Sequence, residues 1–261
     1  MGPLRRWWRQ RIIRRAAWDE ALWQRTLASL PLLAGLNADE RTRLRDTVIL
    51  FLHDKAIHGA GGLDIDQGMR LMIAAQACIL ILNLDIEFFS GWVEVIVYPD
   101  AFVPTVEYTD ESGVVHVGRE ARAGEAWLQG PVVLSWADVA PLADGVNVVI
   151  HEFAHKLDML NGDANGFPPL HKGMSRAAWV GAFQAAYADF QQRIETEDDV
   201  GIDPYAAESP AEFFAVVSEA FFETPHAVLG RYPDVYAQLK AFYRQDPALR
   251  ALPVQLPGAI G

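Results

Sequence analysis

Two histidines and a glutamate stand at a spacing that can do chemistry: His151-Glu152-Phe153-Ala154-His155. On a helix, residues four apart lie one turn above the other. Both imidazoles can then aim a ring nitrogen at one metal ion about 2 Å away. Glu152 sits about 100° round the axis, beside that face, where a carboxylate can serve as general base without being a ligand. The setting favours this reading over a chance spacing on a solvated helix. Val148–Ile150 is apolar, which argues for a buried helix, and unpartnered His and Glu would be costly there. Asn161-Gly162 supplies a natural stop at the C-terminal end.

A catalytic zinc takes three protein ligands and keeps one position open. The extended pattern, in which a glycine and a third histidine follow the second His, is excluded: position 158 is Asp158 and position 161 is Asn161. The third ligand must come from a later element. Ser209-Pro-Ala-Glu-Phe-Phe-Ala-Val-Val-Ser-Glu219 offers two carboxylates, Glu212 and Glu219, seven residues apart on nearly the same face of an apolar helix. Ser209-x-x-Glu212 is also a capping box with Pro210 at the first helical position. Spacing alone leaves the ligand open between Glu212 and Glu219, with His171 and His226 as weaker alternatives.

The elements that must position these residues follow from periodicity. Residues 18–52 read as short helices around a break at Pro31, and residues 67–84 as a buried helix. His58–Gly62 reads as a flexible loop. Short β-type runs follow at Val93–Tyr98, Val114–Val117 and Pro131–Trp136, implying a small sheet of three or four strands with helices on one face. Helices return at Val146–Leu160, Ser175–Arg193, Pro210–Phe222 and Pro233–Arg244, and the acidic stretch Glu195–Asp203 reads as a solvated loop. The expected class is α+β. A basic extension at residues 1–17 precedes a single domain over 18–261, helical over 18–90, with sheet and catalytic helices over 91–261.

Composition sets the outer bounds. The chain has 261 residues, 51% of them hydrophobic, with 8 Trp and 13 Phe, too apolar and aromatic for disorder. Its net charge of −12 argues against direct nucleic-acid binding, which needs clustered Lys and Arg. Six arginines crowd residues 1–17 without one acid; taking them from the 22 basic residues leaves 16 against 34 acidic, or −18 elsewhere. That start reads as a basic arm on an acidic body in preference to an interfacial helix touching a membrane. Its arginines break any signal-peptide core, and the apolar run 71–84 is too short to span a bilayer. The lone Cys78 excludes an internal disulfide and fits a reducing, cytoplasmic setting.

The motifs also resemble a known family. His151-Glu-Phe-Ala-His-Lys-Leu-Asp158, then Asn161-Gly-Asp163, and Asp203-Pro-Tyr-Ala-Ala-Glu-Ser-Pro-Ala-Glu-Phe-Phe-Ala-Val-Val-Ser-Glu-Ala-Phe-Phe222 are similar to the Mlc titration factor A (MtfA) family. Val97-Tyr-Pro-Asp-Ala-Phe-Val103, Gln129-Gly-Pro-Val-Val-Leu-Ser-Trp136 and Phe242-Tyr-Arg-Gln-Asp-Pro247 extend the resemblance over most of the chain. The second motif is also similar to the catalytic domain of anthrax lethal factor. The resemblance implies a zincin-like, gluzincin-type metallopeptidase: one Zn²⁺ on His151, His155 and Glu212, Glu152 as base, and Tyr205 as hydrogen-bond donor to the oxyanion. It implies aminopeptidase-like action on short peptides, and binding of an Mlc-like transcriptional repressor. Glu219 and Asp158 then become candidates to orient the ligand imidazoles. Strand 132–136 is either a cleft rim that pairs with an extended peptide or an ordinary interior strand.

Overall fold

The computed structural model describes residues 2–101, 105–109, 115–119, 124–126, 130–139, 146–196 and 201–250. Part of the acidic stretch Glu195–Asp203 therefore lies outside the described residues.

Up to Leu80 the chain is helical apart from one short strand at Ala56–Gly59. Helix α1 (Pro3–Arg15) leads into α2 (Glu20–Ser29), a 3₁₀ turn at Pro31–Leu33, and α3 (Ala38–Asp54). Asn37 starts α3 with a complete capping box: its side chain accepts from the Glu40 amide while Glu40 reaches back to the Asn37 amide. Helix α4 (Gln67–Leu80) is buried almost all round from Leu71 onward. Helix α1 packs on α3, and Arg5 and Arg9 pair with Asp85 and Glu87 of the 3₁₀ turn Ile86–Phe89 and its cap. The arginine-rich start is thus a helix lying on acidic residues of the body.

The sheet has four strands in the order β1-β2-β6-β5. Strands β1 (Ala56–Gly59), β2 (Glu94–Tyr98) and β6 (Val132–Ser135) run parallel, and β5 (Gly124–Ala126) is antiparallel to β6. Register aligns Ile57 with Val95, Val95 with Val132 and Val97 with Leu134, and these five apolar side chains form the buried face. The pair β3 (Thr105–Thr109) and β4 (Val115–Arg119) makes a separate antiparallel ladder. One expectation is corrected here, and one open choice is decided. His58 and Gly59 belong to a strand, because parallel pairing with β2 supplies hydrogen bonds that local composition does not advertise. Strand β6 is interior, bonded on both sides, so it cannot serve as a free rim.

The remaining helices are α5 (Trp136–Val139), α6 (Val148–Asp158), α7 (Arg176–Glu195), α8 (Pro210–Glu223), α9 (Pro225–Arg231), α10 (Pro233–Tyr243) and α11 (Pro247–Arg250). Helix α9 adds to the expected helices: Pro225 opens it, although a proline there reads equally as a break, while Pro233 opens the expected α10. Helices α6 and α8 pack against each other, and α6 also touches α4 and the sheet. Phe153 anchors the back of α6 among Phe51, Phe89 and Trp92, with ring centroids 5.1–5.7 Å away. Phe214 anchors α8 against Trp179, Phe183 and Phe242, at 6.0–6.4 Å. Burying each such ring contributes about 2–3 kcal/mol, and together they hold the two site helices in register. Among the described residues, no helix is long and apolar enough to cross a membrane.

Candidate metal centre

Helix α6 begins at Asn147, whose side chain accepts from the Ile150 amide, the N-cap bond that fixes where the following turns fall. It ends at Asp158, runs through one 3₁₀ turn (Met159–Asn161), and is closed by Gly162 at φ 141°. Helix α8 begins at Ser209, whose hydroxyl oxygen accepts from the Glu212 amide. Only this half of the capping box forms, since the Glu212 carboxylate turns to the imidazoles.

Three atoms converge between the helices. Nε2 of His151 and Nε2 of His155 are 3.2 Å apart; Glu212 Oε2 is 3.0 Å from the first and 3.2 Å from the second. His151 Nδ1 lies 2.6 Å from Glu219 Oε1. When that nitrogen carries the proton, its Nε2 presents a lone pair to the cluster. A second imidazole nitrogen and a carboxylate oxygen packed against it need a proton or a metal cation among them. The donor set of two imidazoles and one carboxylate suits a catalytic divalent ion, so these residues could hold one.

The electrostatics follow from this crowding. Burial opposes charge on His151, but hydrogen bonds to Glu212 and Glu219 outweigh it and hold its pKa well above the ordinary value. Burial also pushes Glu212 up, yet the bonds and charge of both histidines bring it down to about 2. The N-terminal end of α8 favours the same charged form. Glu152 is 5% exposed, and its pKa is raised to about 7. Desolvation dominates there, with His151 and His155 pulling down and Glu212 and Glu219 pushing up.

Behind the cluster runs a chain of hydrogen bonds with few foreseen members. Glu219 bridges His151 and the Asn147 amide, which donates to its other oxygen at 2.6 Å. The Asn147 side-chain amide donates to Gln76 of α4 and to Glu223, each at 2.7 Å. Asn147 was discoverable as a cap residue just ahead of an apolar run. Gln76 was visible only as a polar interruption of the run 71–84. The two candidates for orienting the imidazoles are held differently. Glu219 touches His151, while Asp158 Oδ2 accepts from the Asn165 and Gly166 amides at 2.7 Å each and so ties down the loop after α6. Nδ1 of His155 has no protein partner among the described residues.

Tyr205 lies on the 3₁₀ turn Pro204–Ala207, with its ring centroid 6.0 Å from that of His151 and 46% of its surface exposed. The turn is fixed by Asp203, which accepts from the Tyr205 amide, and by Tyr187, whose hydroxyl donates to Ala207 O. Of the two other histidines weighed as ligands, neither joins the cluster. His171 bonds to Phe242 O at 2.7 Å, and His226 lines a groove between α7 and α10.

A mostly helical α+β chain, a small sheet, and His151, His155 and Glu212 brought together by two helices define a zincin-like protein with a candidate metallopeptidase centre. A family described as "glucose-regulated metallo-peptidase M90" matches residues 4–244, and the chain belongs to that family. The match begins inside the arginine-rich helix α1. Among its relatives is a protein named Mlc titration factor A from Salmonella arizonae, 41% identical over 94% of this chain and 97% of its own length. Proteins of the same name from Salmonella gallinarum and Escherichia fergusonii are 41% and 39% identical, each covering 89% of this chain and 87% of their own.

Proposed function

We propose that this metallopeptidase uses zinc, held by His151, His155 and Glu212, to hydrolyse peptide bonds near the amino terminus of short peptides in the cytoplasm. The observation that carries the reading is the convergence of Nε2, Nε2 and Oε2 within 3.2 Å of one another. Zinc bound there supplies a Lewis acid and acidifies water. Glu152 takes a proton from the attacking water and returns it to the leaving amine, work suited to a carboxylate buried beside the cluster. Tyr205, beside His151, donates its hydroxyl hydrogen to the developing oxyanion. Strand addition by an extended peptide falls to β5, the outer strand beside β6, since β6 is bonded on both sides.

Hydrolysis of an aminoacyl anilide tests the reading. The wild type should cleave it, a chelator should stop cleavage, and zinc should restore it. Equal cleavage of the N-acetylated substrate would refute the aminopeptidase assignment and leave an endopeptidase.

A second role is favoured by the relatives' printed name, Mlc titration factor A. The chain would bind an Mlc-like transcriptional repressor independently of peptide hydrolysis, its acidic surface meeting a basic partner. Capture of the repressor by Glu152→Gln as well as by wild type would separate the two roles; no capture by either would remove the second.

A further inference from the structure

Helix α1 has two faces with different chemistry. Arg9, Ile12 and Ile13 are half-buried against the body, and Arg5 and Arg9 are neutralised by Asp85 and Glu87. Leu4, Trp7, Trp8, Arg11 and Arg15 follow the spacing i, i+3, i+4, i+7, i+11 and share an adjoining face, on which Arg11 is half-buried and the other four are exposed; Trp8, Arg11 and Arg15 border a groove that reaches Leu52 of α3. Three of these are large apolar side chains left in water: Leu4 is 82% exposed, Trp7 55% and Trp8 53%. Trp7 and Trp8 lie 6.4 Å apart, and the Arg11 guanidinium covers Trp7 at 5.6 Å. Among the described residues, Arg6, Arg11, Arg14 and Arg15 have no acidic partner, so four positive charges surround the exposed rings.

We propose that α1 is a docking helix that lays the protein on an anionic lipid surface. Leu4, Trp7 and Trp8 enter the headgroup layer, while Arg6, Arg11, Arg14 and Arg15 pair with lipid phosphates. Indole rings suit that boundary because they are apolar in body and carry one N–H for the wet side. Guanidinium groups pair bidentately with phosphate. The pairs to Asp85 and Glu87 leave the inner face on the protein, so docking needs no release of the helix. A nucleic acid would use the arginines but has little use for Leu4 beside two outward tryptophans. The acidic body does not forbid approach. At physiological ionic strength, charges beyond about 8 Å are screened, so the arm's own charge decides at contact.

Co-sedimentation of the full chain with vesicles tests this. The probe is phosphatidylcholine alone against phosphatidylcholine with roughly one-third phosphatidylglycerol. The wild type should bind the anionic vesicles about tenfold more than the neutral ones. Trp7→Ala with Trp8→Ala should cut binding about fivefold, and Arg6→Glu with Arg14→Glu should abolish it. These positions are exposed, so circular dichroism should be unchanged. No preference for anionic vesicles would overturn the proposal. So would full binding by the double Trp variant, or equal binding of wild type to a random DNA duplex, because either would reduce the face to a general polyanion site.

Discussion

The Nδ1 atom of His151 and Oε1 of Glu219 stand 2.6 Å apart, one on each of the two helices that make the site. The contact does two things. It selects the imidazole tautomer that leaves Nε2 free for a metal, and it fixes the ring's angle about its own axis. Glu219 is itself held, because its other oxygen accepts from the Asn147 amide at the start of α6. Helix α8 therefore sets both the start of α6 and the direction of its first histidine.

Replacing Glu219 should weaken the metal site without unfolding it. Glu219→Gln keeps the shape but loses the charge, and zinc affinity should fall by about 10–100-fold. Competition against a coloured chelator measures this directly. An affinity within twofold of wild type would show that the contact does not tune His151.

Asp158 makes a contrasting prediction, since the hydrogen bonds of its Oδ2 go to the loop after α6. Asp158→Ala strands the Asn165 and Gly166 amides, a cost of about 2–4 kcal/mol by urea unfolding. Asp158→Asn keeps an acceptor oxygen and removes a charge whose pKa burial already raises, so it should cost less. Neither should shift zinc affinity as far as Glu219→Gln does.

Gly166 couples that loop to the second helix. Its φ is +76°, and a β-carbon there would stand 2.4 Å from Pro210 O at the first turn of α8, two residues before Glu212. Gly166→Ala should cost about 1–3 kcal/mol by thermal unfolding. It should also weaken zinc binding, because relief of the clash moves the turn that carries Glu212. Stability equal to wild type would contradict the packing described.

Tyr205 should matter for rate and little for affinity. Tyr205→Phe removes only the hydroxyl, and kcat should fall by about 10²-fold with KM near wild type. An unchanged kcat would remove Tyr205 from the chemistry.

Much of the site is legible in the sequence because it is local. His151, Glu152 and His155 lie within one turn and a residue, and helical periodicity alone puts both imidazoles on one face. Choosing Glu212 over Glu219 was different: both lie on one face of α8, and only the tertiary approach of α6 decides which meets both Nε2 atoms. Strand β1 escaped because Ala56-Ile-His-Gly59 has one β-branched residue; its hydrogen bonds come from β2, nearly forty residues on. The order of the sheet, which makes β6 interior and β5 the edge, is likewise a long-range property. Asn147, Gln76 and Glu223 form their network across α4, α6 and α8, and no single segment announces it.

Metal content, measured by plasma mass spectrometry beside anilide hydrolysis on the same samples, tests the central claim most directly. Wild type and Glu152→Gln should each hold about one zinc per chain. Only the wild type should turn over, because the variant keeps the three proposed ligands and loses the proposed base. His151→Ala should hold none. Zinc retained at full stoichiometry in His151→Ala, or full activity in Glu152→Gln, would contradict the assignment of these residues.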